Sequence, residues 1–124
     1  MKVELNLTIE RWWFLEIEAF NKREEYRDLD NRQVRRVFRR FRGEPDWLRS
    51  FPVILLRNGY RMDSPAIARY ITYIDLRNRE TAKHREWGEP MRQKRPHFVI
   101  GLGSKVASGT YAEVKAKLKE LGAL

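Results

Sequence analysis

Six arginines, Arg32, Arg35, Arg36, Arg39, Arg40 and Arg42, crowd into residues 31 to 42, and no acid stands between Asn31 and Gly43. On a helix, like charges three and four residues apart repel, at roughly a few tenths of a kcal/mol per pair. A merely solvated face mixes Glu with Lys and avoids that repulsion. Arginine also brings a planar fork that fits phosphate or guanine in paired contacts. The face therefore predicts a polyanion partner, nucleic acid first. The competing reading neutralises it with acids from elsewhere in the fold, such as Glu24, Glu25 or Glu44. A second basic group, Arg92, Lys94 and Arg95, follows Lys83 and Arg85 in a stretch that Pro90 and Pro96 keep extended. These residues complete the expected nucleic-acid-binding set.

Aromatic residues make up 12% of the chain and are interleaved with charge. Trp12, Tyr26, Tyr60, Tyr73 and Trp87 are candidates to expose a ring face, and bases stack on such rings for roughly 1–3 kcal/mol each. Most aromatic side chains are nevertheless expected in the core.

Asp28 and Asp30 stand two residues apart immediately before the basic segment. Such a pair can hold a divalent cation beside bound phosphates. In the simpler reading Asp30 is a helix N-cap and Asp28 a loop acid favouring the positive helix end. The stretch from Trp13 to Phe41 runs FLEIEAF, then NKREEY, then Arg27-Asp28-Leu29-Asp30-Asn31, then the basic segment. It resembles the core of the RusA-type Holliday junction resolvases, in which a strand and basic segment lead through Arg-Asp-Leu-Asp-Asn into a helix. The resemblance implies that Asp28 and Asp30 bind a catalytic Mg²⁺, with a further acid downstream for which Asp46 and Asp63 are candidates. It would make the chain a Mg²⁺-dependent, structure-selective endonuclease. Outside that reading no cofactor is expected.

No other catalytic arrangement can be assembled. Cysteine is absent, which excludes disulfides and thiolate metal sites, and the two histidines, His84 and His97, are too few for a histidine cluster. Gly101-Leu102-Gly103-Ser104-Lys105 lacks the spacing of a phosphate-binding loop and reads as a tight turn between strands. The 26 Lys and Arg against 17 acids leave a formal charge of +9 and a pI near 10.2, a field that draws polyanions. Charged residues make up 35%, while Asn and Gln number only seven, which points to a thermophile. No apolar run spans a bilayer and no signal-peptide pattern opens the chain, so a cytoplasmic location is expected. The primary expectation is thus a small basic nucleic-acid-binding protein of a mobile element or its thermophilic host. The nuclease is one alternative. A regulator that binds an acidic face of a nucleic-acid-processing protein is the other, since arginine and aromatics also build interface hot spots.

The 124 residues suit one domain, 1–124, with a core large enough to need no staple. Residues 2 to 9 alternate as a half-buried strand, and 12 to 20 read as its hairpin partner, although Ile9, Trp13, Ile17 and Phe20 also align on a helix. Residues 31 to 42 predict a helix with Val34, Val37, Phe38 and Phe41 inward. Asp30 with Gln33 gives it a capping box, Leu29 against Val34 a staple, and Gly43 a C′ stop. Glu44 to Ser50 reads as a turn holding Trp47. Residues 52 to 57 predict a strand, and Asn58-Gly59 a hairpin to a short partner at 60 to 62. Ser64-Pro65 opens a second helix with Ile67, Tyr70, Ile71 and Ile74 inward, running to about Trp87. Residues 97 to 102 and 105 to 108 read as paired strands about Gly103-Ser104. Thr110 and Glu113 cap a last helix faced by Val114, Leu118 and Leu121 and closed by Gly122. The expected architecture is α+β, a small mixed domain in which short antiparallel hairpins alternate with three helices in the order ββα-ββα-ββα.

Overall fold

The computed structural model describes residues 1–77 and 96–124. In chain order these form β1 (Lys2–Thr8), α1 (Arg11–Glu18), β2 (Glu24–Asp28), α2 (Arg32–Gly43), a 3-10 helix (Pro45–Ser50), β3 (Pro52–Arg57), β4 (Pro65–Arg77), β5 (His97–Thr110) and α3 (Tyr111–Glu120). The strands make one five-stranded sheet in the order β1-β3-β4-β5-β2. The protein is α+β as expected, but the hairpin-only ββα order is corrected: β1 pairs with β3 in parallel, and the remaining pairs are antiparallel. A parallel pair needs a crossover, and the segment carrying α1, β2 and α2 supplies it.

Both faces of the sheet are covered. On one, Leu5, Leu7, Ile54, Leu56, Ile67, Ile71, Ile74, Phe98 and Ile100 meet Phe14 and Ile17 of α1, Val34 and Val37 of α2, and Trp47. On the other, Val53, Leu55, Ala66 and Ala68 meet Tyr111, Val114 and Leu118 of α3. Burial on both faces explains the unbroken apolar run of β3.

The expected strand over 12 to 20 is instead α1. Aromatic and β-branched content favoured a strand, but burial follows the helical spacing, with Phe14 and Ile17 inside and Trp12 and Leu15 outside. The expected helix from Pro65 is instead β4. Its pairing with β5 slips between Arg69 and Ile71 and again between Ile71 and Tyr73. Such bulges reset the alternation, so Ile67, Ile71 and Ile74 share one face of a strand at the spacing of a helix. Asn58-Gly59 does mark a hairpin, but its loop runs to Ser64 and the partner of β3 is β4, not residues 60 to 62. Residues 97 to 108 are not two paired strands about Gly103-Ser104 but part of one long strand, β5.

Two helix ends also differ from expectation. Asn31, not Asp30, caps α2: Val34 N donates to Asn31 Oδ1 at 3.0 Å. Gln33 does not close a box and instead accepts from Asn6 N on β1 at 2.7 Å. Gly43 is the last helical residue, and Glu44 is the C-cap. At α3 the expected capping box is present in full, with Glu113 N donating to Thr110 Oγ1 at 3.2 Å and Thr110 N to Glu113 Oε1 at 3.0 Å. Gly122 follows with φ of 74°, the left-handed conformation that ends helices.

Candidate nucleic-acid interface

The candidate surface is built on α2. Val34 and Val37 are buried, and Phe38 and Phe41 pack half-buried on the same core, Phe38 against Phe98 at 5.2 Å between ring centroids and Phe41 against Trp47 at 6.1 Å. This apolar stripe fixes the helix, so the arginines opposite are displayed from a rigid element.

Those arginines divide into two groups. Arg40 is neutralised: its Nη1 lies 3.2 Å from a Glu4 carboxylate oxygen, and its Nε lies 3.9 Å from Glu44. Among the described residues, Arg32, Arg35, Arg36, Arg39 and Arg42 have no ion pair with any carboxylate. Glu24 and Glu25, expected as possible neutralisers, are buried and engage Arg77 and Arg27 instead. The guanidinium of Arg42 sits 5.7 Å from the Phe38 ring centroid, within reach of a cation–π contact.

Beside this face runs a groove of about 480 Å³ lined by Leu29, Arg35, Phe38, Arg39, Arg42, Leu76 and Phe98. Its wall is thus three α2 arginines, and its floor is apolar. Leu29 and Leu76 are 37% and 45% exposed.

Asp28 ends β2 and Asp30 lies in the turn before α2, both exposed. Among the described residues no third His, Asp or Glu joins them in a group able to hold a metal ion. Asp46 and Asp63 pair locally with Arg49 and Arg61, at 3.6 and 3.1 Å. Arg92, Lys94 and Arg95 lie outside the described residues, as do Lys83, His84, Arg85 and Trp87. Trp12 and Tyr60 are 54% and 84% exposed, as stacking would require, whereas Tyr26 and Tyr73 are half-buried. Phe51, 63% exposed in a left-handed conformation, was not anticipated.

The sequence reading also missed two buried polar groups. Glu24 accepts hydrogen bonds from the hydroxyls of Tyr26, at 3.0 Å, and Tyr73, and from Arg77 Nη1 at 3.2 Å. Burial, then the Glu24 carboxylate, pushes the Tyr73 phenol up to about 12. Arg69 is 2% exposed and donates to four carbonyls: Gly103, Leu102, Lys22 and Ile17, at 2.6, 3.0, 3.2 and 3.4 Å. Burial, with Arg23 nearby, lowers its guanidinium to about 10, so it stays charged at neutral pH. Arg69 ties the end of α1 to β5. Its one sequence signal is a lone arginine inside the apolar run from Ala66 to Ile74.

Comparison of the chain with protein-family models, with curated proteins and with solved structures finds no match.

Proposed function

We propose that the protein binds nucleic acid, neutralising backbone phosphates with Arg32, Arg35, Arg36, Arg39 and Arg42 of α2. The observation that carries this reading is the contrast within one helix. Arg40 has carboxylate partners in Glu4 and Glu44, and its five neighbours have none among the described residues. A cationic face without internal neutralisation suits an external polyanion, and the net charge of +9 steers one toward it. The test is a binding titration of wild type and the double variant Arg35→Ala/Arg39→Ala over a range of salt. The slope of log affinity against log salt should fall by about 1 for each phosphate contact removed. An unchanged slope and affinity would assign the face to a protein partner or to ordinary surface.

A second reading, a Mg²⁺-dependent nuclease, gains from one observation: Asn31 caps α2, so capping does not account for Asp30. Mg²⁺-dependent cleavage of branched DNA, lost in Asp30→Asn with the fold retained, would establish it. Absence of cleavage by wild type would dismiss it.

A further inference from the structure

The groove beside α2 has more than charge to offer. We infer that it receives an unpaired thymine of single-stranded DNA, with the base on the floor of Leu29, Phe38 and Leu76 and its flanking phosphates on Arg35, Arg39 and Arg42. This rests on the phosphate-binding reading of α2 and names what occupies the space between that helix and the sheet.

Three observations converge. The groove, about 480 Å³, is of small-ligand size, within the roughly 300–1,000 Å³ of such sites. Its arginines recur at four and then three residues, one stripe of the helix extending roughly 10 Å along its axis. That is long enough to meet phosphates on both sides of one nucleotide. Its floor leaves Leu29 and Leu76 substantially exposed beside a half-buried aromatic ring. Phosphate binding alone needs no such floor.

A duplex hides its base faces in the stack, and only an unpaired base can lie on an apolar floor. The Arg42 guanidinium, 5.7 Å from the Phe38 ring centroid, brings a cation within reach of the same ring. The choice among bases follows from the lining chemistry. Among the described residues, every charged or polar side chain lining the groove is a guanidinium, a donor with no acceptor capacity. With those guanidiniums on the flanking phosphates, the base is chosen by the hydrocarbon floor, and thymine alone among the DNA bases offers it an apolar methyl group.

The experiment measures fluorescence anisotropy of the full chain with four probes: a short thymidine oligonucleotide, an abasic deoxyribose-phosphate strand of equal length, a uridine RNA strand and a DNA duplex. The thymidine strand should bind about tenfold or more tighter than the abasic one. Both should share the same salt slope, since their phosphates are alike. Uridine should bind more weakly than thymidine. The neutral variants Leu76→Ser and Leu29→Ser, at positions 45% and 37% exposed, should lower thymidine affinity toward the abasic level and leave abasic affinity unchanged, with the fold retained. Equal, salt-sensitive binding of thymidine and abasic strands would overturn the base pocket while phosphate binding stands. Equal binding of uridine would overturn the choice of thymine, whose methyl group uracil lacks, and with it the commitment to DNA. If no strand binds, the phosphate reading itself fails. If an acidic peptide carrying leucine occupies the groove and no strand shows base dependence, the occupant is a protein.

Discussion

Arg27 Nη2 donates to Thr8 O at 2.8 Å. Arg27 lies on β2 and Thr8 on β1, the two outer strands of the five-stranded order. One side chain can bridge them only if the sheet curls strongly, drawing its edges together. α2 lies along the β1 edge, with Gln33 on Asn6 near its start and Arg40 on Glu4 near its end. The arginine helix is therefore held along the β1 edge, which Arg27 in turn ties to β2.

Arg27→Ala should destabilise the protein by about 1–3 kcal/mol, the range for a hydrogen bond to a charged group whose partner is then stranded. Chemical denaturation measures it. A change within the noise of a surface substitution would mean that the curl is held by packing alone.

Glu4→Gln should release Arg40 from its carboxylate. Nucleic-acid affinity should then rise, and the salt slope should steepen by up to about 1. Arg40→Ala, removing a charge already neutralised, should alter binding less than Arg39→Ala does. Equal losses would show that internal pairing does not sort these arginines.

Tyr73 supplies a pH dependence. Its phenol is moved from 10.0 up to about 12 in the folded state, first by burial and then by Glu24. A group whose folded value is raised contributes stability that is intact below the unfolded value and lost above it. The contribution should thus be complete below pH 10 and decline as pH rises toward 12. Tyr73→Phe should flatten that decline, read from melting points across the alkaline range alongside the phenolate absorbance.

The α2 cap separates two neighbouring residues. Asn31→Ala should cost about 1 kcal/mol, whereas Asp30→Ala should cost little, because Asn31 supplies the bond to Val34 N. If Asp30→Ala proved the more damaging, the cap would have been assigned one residue too late.

The charge-rich, amide-poor composition predicts a melting midpoint above the roughly 45–65 °C of mesophile domains. A midpoint near 50 °C would remove the thermophile inference.

Local signals made part of this molecule readable. Alternation in β1, the apolar run of β3, the inward stripe of α2 and the box at Thr110 each lie within a few residues and need no distant partner. Elsewhere the decisive partner is remote. Tyr73 and Arg77 reach Glu24 across 49 and 53 residues, so a buried carboxylate looked like surface charge. β4 was misread because its bulges space three isoleucines as a helix would, and α1 because its residue types favour strand while its burial follows a helix. The arginine face was legible as a pattern. Its division into one cation paired with carboxylates and five with no carboxylate partner among the described residues was not, because Glu4 meets Arg40 only once β1 lies against α2. The groove was hidden for the same reason: Leu29, Phe38, Leu76 and Phe98 come from four separate parts of the chain.

Gly101 and Gly103 lie on β5 beside β4, where a Cβ at 101 would run into the Tyr73 ring and the Thr72 hydroxyl, and one at 103 would meet Thr72 Cγ2 at 2.8 Å. Packing alone thus bars side chains from both positions. In relatives of this chain, invariance at these two glycines would record side chains laid across a backbone, the Tyr73 ring at 101 and Thr72 at 103. It should not be counted as a ligand-binding signature, and a site predicted from it would be drawn to a part of the sheet that does something else.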